Sequence, residues 1–281
     1  MLVEKITSRQ NPLVKRFRRA RAGAERQFVF VEGIRLVEEA LSAGVHFESI
    51  AYSSQLESTP RGAALLTSLQ KVPCRGALVA PQVMDGISDT ESPQGVAAVL
   101  SRPVWTLANA FSRKPPFLLI ADELQDPGNV GTMIRTAEAS GVTAVISMRG
   151  SVDPFNCKSL RASMGSALRL PIITEAKRAD VFESCRTHKV RTIAAQSPRS
   201  GPSDANKASK LYSSVELTGA LALVMGREAS GIGADTAAQT DQLVHIPMSH
   251  GIDSLNVATA AAVILYEAAR QREFRFPGKK S

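Results

Sequence analysis

The chain has few of the residues that staple, chelate or anchor a protein. Its 281 residues include three cysteines, one tryptophan, three tyrosines and four histidines. Cys74, Cys157 and Cys185 lie far apart, at neither zinc-finger nor redox spacing. That excludes a disulfide framework and a structural metal, and it makes a reducing cytoplasm the expected compartment. The histidines suggest no metal site, and His245 and His250 have no recognisable triad partner. The most apolar helical stretch, 257–266, is about half the roughly 20 residues that a bilayer requires. The N-terminus lacks the apolar core of a signal peptide. No Gly-x-Gly-x-x-Gly joins a strand to a helix. Gly231 is followed by Ile232 and Gly233 where a P-loop carries Lys and Ser or Thr. Dinucleotide and nucleoside-triphosphate fingerprints are therefore missing, and no internal repeat is present.

What is present is charge, unevenly placed. The formal net charge is +8. Residues 1–26 carry eight Lys or Arg against Glu4 and Glu25, a net of +6, which leaves +2 for the rest. Such a patch, with few aromatics, suits a phosphate backbone, whose attraction is electrostatic and independent of sequence. Lys15, Arg16, Arg18, Arg19 and Arg21 are the candidate RNA-binding residues. A solvated basic helix and an Arg-rich presequence are the competing readings. Apolar content of 44% over this length allows two domains with real cores.

Alternating patterns organise the chain. Asn11-Pro12 reads as a cap and first position of a helix that ends at Gly23. Strands fit 28–31, 49–52, 77–79 and 96–100, and helices fit 34–41, 62–70 and 82–87, a small α/β unit over residues 1–100. Residues 101–116, with Pro103, Pro115 and Pro116, form the expected linker. Beyond it strands fit 117–121, 144–147, 171–173, 192–195, 221–225 and 243–246. Helices fit 130–140, 155–164, 179–188 and 257–270. Apolar strands between amphipathic helices predict a mostly parallel sheet covered on both faces. A polar loop is expected at 197–214 and a tail from 272, fraying from 276.

Three motifs carry the chemistry. Asp126-Pro127-Gly128-Asn129-Val130-Gly131 makes a turn into a helix, where Asn129 can cap and Arg135 lies six residues on, about one and two-thirds turns. Such a helix start favours anions. The bland reading is an ordinary capped helix with a surface arginine. Gly226-Arg227-Glu228-Ala229-Ser230-Gly231 follows a strand, at the end where ligands collect in α/β sheets. There Glu228 reads equally as a buried acid paired with an arginine such as Arg135. Ile246-Pro247-Met248, then Ser254-Leu255-Asn256, leads into the last helix, for which Asn256 is a natural cap.

Together and in this order, these motifs resemble the three signatures of the SpoU (TrmH-type) RNA 2′-O-ribose methyltransferases of the SPOUT superfamily. The resemblance covers about 117–270, with Asn129, Gly131, Arg135, Gly226, Glu228, Gly231, Ser254, Leu255 and Asn256 at the family's positions. More weakly, 28–41 resembles the family's N-terminal domain, itself similar to ribosomal proteins that bind RNA kink-turns. The resemblance implies a SPOUT-type trefoil knot in an α/β catalytic domain over 117–271 and a homodimer whose active site is shared. It implies S-adenosyl-L-methionine as cofactor, with Gly226, Ile246, Leu255, Met248 and Ala195 around it and no metal. It implies methyl transfer to a ribose 2′-hydroxyl, with Arg135, Asn129, Glu228, Ser254 and Asn256 as catalytic candidates. A guanidinium is a poor base, so Arg135 either is perturbed by its surroundings or holds an RNA phosphate that helps take the proton. Ribosomal RNA is the expected substrate and transfer RNA the alternative. The rivals are a base methyltransferase of the same superfamily and an RNA-binding protein without catalysis. The stripe Val257, Ala260, Ala261, Ile264, Leu265 and Ala268 on the last helix is the expected dimer face.

Overall fold

The structure is a computed structural model that describes residues 2–197, 209–228, 230–249 and 252–276. His250, most of the expected 197–214 loop and the end of the tail lie outside these residues. The chain divides into two compact units, one of Met1–Pro103 with Phe155–Arg169, the other of Val104–Pro154 with Leu170–Ser281.

The first unit runs β1 (Leu2–Ile6), α1 (Pro12–Arg21), β2 (Phe28–Glu32), α2 (Ile34–Ser42), β3 (Phe47–Tyr52), α3 (Pro60–Leu69), β4 (Arg75–Val79), α4 (Pro81–Ile87) and β5 (Val96–Ser101). Its five strands lie in the order β1-β4-β3-β5-β2, parallel from β1 to β3 and antiparallel through β5 to β2. β1 escapes the sequence pattern. It is an edge strand in which Val3, Glu4 and Lys5 are exposed and Ile6 is buried, so these residues show no apolar alternation. α1 forms as its signals predict. Asn11 caps it by accepting the Leu13 N–H, Pro12 fills the first position, and Val14, Phe17 and Ala20 face the core. Phe17 is fully buried and meets Phe30 edge to face at 6.5 Å. Burying such a side chain contributes about 1.5–3 kcal/mol.

The second unit starts with α5 (Leu107–Ala110), a short helix inside the expected linker. It continues through β6 (Phe117–Ala121), α6 (Pro127–Ala139) and β7 (Ala144–Met148). The next two helices, α7 (Cys157–Ser163) and α8 (Ser166–Arg169), belong to the first unit. α7 is shorter than the 155–164 helix read from the pattern, because Asn156 caps it and Met164 turns left-handed with φ 51°. The second unit resumes with β8 (Ile172–Ala176), α9 (Arg178–Thr187), β9 (Arg191–Ala195), β10 (Lys210–Leu211), β11 (Leu221–Met225), α10 (Ala234–Gln239), β12 (Gln242–His245) and α11 (Val257–Gln271). Its sheet has the order β10-β12-β9-β11-β6-β7-β8 and every pairing is parallel. The central strands β6, β7 and β11 are buried at every residue, as their continuous apolar runs require. α6 and α11 pack on each other.

Candidate active site

The first motif occupies the turn from β6 into α6. Asp126, not Asn129, is the cap, its carboxylate accepting the Asn129 N–H at 2.8 Å. Pro127 explains the correction. Its fixed φ and missing N–H suit the first helical position, so the helix starts one turn before the sequence reading places it. The Asn129 side chain is then available for tertiary contacts. Its Nδ2 donates to Glu228 at 3.4 Å, and its Oδ1 accepts Asn256 Nδ2 at 2.9 Å. Asn256 caps α11 as expected, accepting the N–H groups of Ala258 at 2.9 Å and Thr259 at 3.3 Å. One residue from each motif therefore stands in a single series, Asn256 to Asn129 to Glu228.

Glu228 is exposed and does not pair with Arg135, contrary to the reading of a buried acid held by an arginine. Its carboxylate accepts the N–H groups of Asp126 at 3.1 Å and Gln125 at 3.4 Å, at the turn that opens α6. Backbone amides supply the positive charge that an arginine was expected to bring. Partial burial pushes the Glu228 pKa up. The amides of Asp126, Glu228 itself and Gln125, with the Asn129 side chain, outweigh that and hold it below its ordinary value. Glu228 is therefore ionised at neutral pH.

Beyond β9, β11 and β12 lies a cavity of about 310 Å³. Gly226, Ile246, Leu255, Met248 and Ala195 all line it, as do Glu228 and Ser254. Asn129, Asn256 and Arg135 do not. Arg135 is exposed on α6 and makes no hydrogen bond or ion pair with any described residue. Sequence reading missed Gln196, Ser197, Arg227 and Asp253 in the cavity wall. Ser197 donates to the Asp253 carbonyl at 2.6 Å, closing one rim, a contact between distant segments with no local signal. Gly226 is required by its neighbours, since a Cβ there would meet the Gly231 carbonyl oxygen at 2.4 Å. The loop turns back on itself, with the Gly231 N–H donating to Arg227 at 2.9 Å and Gly231 at φ 66°. Arg227 and Arg178 both pair with Glu123, which tethers this loop to the end of β6.

The wall suits S-adenosyl-L-methionine: Ala195, Ile246, Met248 and Leu255 offer apolar cover, and the acidic residues Glu228 and Asp253 stand in the wall of a site for a cationic ligand. Among the described residues no three His, Cys, Asp or Glu side chains gather to hold a metal. His245 is half-buried and its Nδ1 lies 3.0 Å from the Ser209 hydroxyl.

The five basic candidates on α1 separate into different roles. Arg18 Nε donates to the Gly86 carbonyl at 3.0 Å, and Arg21 donates to the carbonyls of Ile87, at 3.1 Å, and Ser88. Both close the carbonyl end of α4, a structural role that the sequence reading did not anticipate for them. Arg16 pairs with Glu48 at 3.1 Å, Arg19 pairs with Glu25 at 2.9 Å, and Lys15 is exposed.

Solved structures similar to this chain include the S-adenosylmethionine-bound rRNA methyltransferase of Sinorhizobium meliloti. It is 29% identical with a TM-score of 0.79, covering 95% of this chain and 98% of that one. The SpoU methyltransferase AviRb of Streptomyces viridochromogenes, solved with the same cofactor, is 25% identical with a TM-score of 0.81, covering 94% and 99%. Fold and cavity thus define an α/β RNA methyltransferase that uses S-adenosyl-L-methionine. Residues 116–266 match the SpoU rRNA methylase family and residues 11–98 match the MRM3-like substrate binding domain. The chain belongs to the SpoU rRNA methylase family. A further relative is the 23S rRNA (guanosine(2553)-2′-O)-methyltransferase of Bacillus subtilis, 32% identical over 268 residues, which are 94% of this chain and 98% of that protein.

Proposed function

We propose that this protein transfers a methyl group from S-adenosyl-L-methionine to the 2′-hydroxyl of a ribose in 23S ribosomal RNA, in the cytoplasm. The observation that carries this reading is the hydrogen-bond series through Asn256, Asn129 and Glu228 at the rim of the cavity. It brings all three motifs to one place. The Bacillus relative and its 23S rRNA substrate favour ribosomal over transfer RNA.

The bound cofactor supplies an electrophilic methyl group on a sulfonium. Gly226, Ile246, Leu255, Met248 and Ala195 hold it. Glu228, kept ionised, fixes Asn129 and the turn at Asp126. Asn129, Asn256 and Ser254 would orient the ribose hydroxyl for transfer, the kind of positioning that lowers a barrier most. Arg135 holds the phosphate beside that ribose. It is exposed on its own subunit and away from the cavity wall, which supports a site completed across a homodimer. The segment 221–271 forms the trefoil knot, a rare exception to the avoidance of threaded chains. Residues 1–100 bind the RNA substrate, 101–116 link, and 117–271, apart from the α7 and α8 segment that belongs to the first unit, catalyse.

Two measurements test this. Calorimetry with and without a chelator should give the same S-adenosyl-L-methionine affinity. Mapping of 2′-O-methylation in ribosomal RNA from a strain lacking the protein should find one modification missing. Unchanged 23S rRNA alongside a lost transfer-RNA mark would reassign the substrate.

A further inference from the structure

α1 has three faces in the first unit. Val14, Phe17 and Ala20 face the core, and Arg18 and Arg21 close the end of α4. The third face, Pro12, Lys15, Arg16 and Arg19 at helical spacing, borders a depression of about 460 Å³ whose other side is Glu25, Gln27 and Phe28. The volume falls within the range of about 300–1,000 Å³ that holds small ligands.

Arg16 is the pinned member. Its guanidinium lies 4.7 Å over the Phe28 ring, and its Nη2 donates to Glu48 at 3.1 Å. Glu48 is itself fixed by the Ser101 hydroxyl at 2.7 Å. That hydrogen bond and the Arg16 charge hold its carboxyl below the ordinary range. One face of the guanidinium is covered by an aromatic ring and its edge is tied down. Lys15 and Arg19 are more exposed and flank it. Gln27, exposed on the rim, offers both a donor and an acceptor.

A duplex backbone is convex and presents phosphates, for which a flat cluster of cations suffices. A concave site with a fixed planar cation suits a base taken out of its stack, because guanidinium planes and aromatic rings stack on exposed bases. We infer that this depression is a binding site for one unpaired RNA nucleotide, its base stacked on the open face of Arg16 and its phosphates met by Lys15 and Arg19. Gln27 reads the base edge. The inference rests on the RNA reading of the N-terminal unit and assigns it a ligand class: a single-stranded or bulged nucleotide rather than a helix.

The test uses the full chain and fluorescence anisotropy, with a short single-stranded RNA oligonucleotide, the same sequence as a duplex, and versions of the single strand with one abasic site. Arg16→Lys keeps the charge and removes the plane. It is expected to weaken single-strand binding by at least about fivefold. It should leave duplex binding and the salt slope unchanged. Lys15→Gln should weaken both RNAs and reduce the single-strand salt slope by about 0.7. In the unsubstituted protein, one abasic position should weaken binding, and Arg16→Lys should remove that sensitivity. Equal single-strand affinity for Arg16→Lys and the parent, or insensitivity of the parent to every abasic site, overturns the inference. Should Arg16→Lys prove unstable, the abasic series on the parent decides alone. Cofactor calorimetry runs in parallel. Its failure would overturn the methyltransferase reading, whereas failure of the abasic series with intact cofactor binding would overturn only the nucleotide site.

Discussion

Asn256 does two jobs with two ends of one amide: its oxygen caps α11 and its nitrogen reaches Asn129. The two jobs can be separated. Asn256→Asp keeps a capping oxygen but cannot donate, so it should melt close to the parent protein and lose most methyl transfer. Asn256→Ala should lose transfer and also about 0.5–2 kcal/mol of stability. Denaturant unfolding and single-turnover assays on both variants check this, and an active Asn256→Asp would remove the Asn256–Asn129 link from the mechanism. Glu228 makes a prediction in pH. Its native pKa is lowered, so its contribution is complete above the ordinary carboxylate value of about 4.3 and fades as the pH falls through the native value. The stability gap between the parent and Glu228→Gln should be constant near neutrality and close in acid. A gap that persists in acid would mean that the ionised carboxylate is not what the Asp126 and Gln125 amides select. At this scale the sequence was legible where a motif sat at a strand end. Gly226, Ile246, Met248 and Ala195 reach one cavity because β9, β11 and β12 deliver them there, and Leu255 joins them from the segment that leads into α11. Gln196 and Arg227 stand just after β9 and β11 and escaped notice because neither lies at a family position, whereas Ser197 and Asp253 meet only through loop closure, which no local pattern encodes.

Among the elements, the loop after β11 is the most demanding. Gly226→Ala would push a Cβ into the Gly231 backbone, so the loop must open. Cofactor affinity should fall at least about tenfold, since a wall displaced by even one ångström is costly. Calorimetry measures it, and parent-like affinity would show that the loop yields without consequence. α11 corrects an expectation drawn from its stripe. Ala261, Ile264, Leu265 and Ala268 are fully buried within the single chain, and Val257 and Ala260 line the cavity. The stripe is occupied by α6, the sheet and the cavity, so it is not a dimer face on its own. Ala261→Glu should therefore destabilise the subunit itself, by more than about 3 kcal/mol, because it buries an unpaired charge. Urea unfolding tests that, and parent-like stability would return Ala261 to the interface. Helical spacing revealed that a face was buried, but not against what. The parallel strands were legible as continuous apolar runs. β1 and α10 were not, the first because it is a polar edge and the second because six residues are too few to establish a period.

For the molecule as a whole, the positive charge of residues 1–26 divides between structure and surface. Arg18 and Arg21 hold α4, so neutralising all of α1 together would confuse folding with binding. No helix among the described residues is long and apolar enough to cross a membrane. If Arg135 completes a neighbour's site, Arg135→Ala should abolish transfer with cofactor affinity within a few-fold of the parent. Mixing it with a cofactor-loop variant such as Gly226→Ala should restore part of the activity, because one of the two shared sites then has both good halves. Sedimentation at micromolar concentration should find a dimer, and an active monomer would refute the shared site. Transfer to a ribose hydroxyl leaves a chemical signature that alkali reads directly. 23S rRNA labelled by the protein with tritiated S-adenosyl-L-methionine is hydrolysed in alkali. A methylated 2′-oxygen cannot attack the adjacent phosphate, so that linkage survives. The label is expected in alkali-resistant dinucleotides. Label released in mononucleotides would place the methyl group on a base and contradict the ribose assignment.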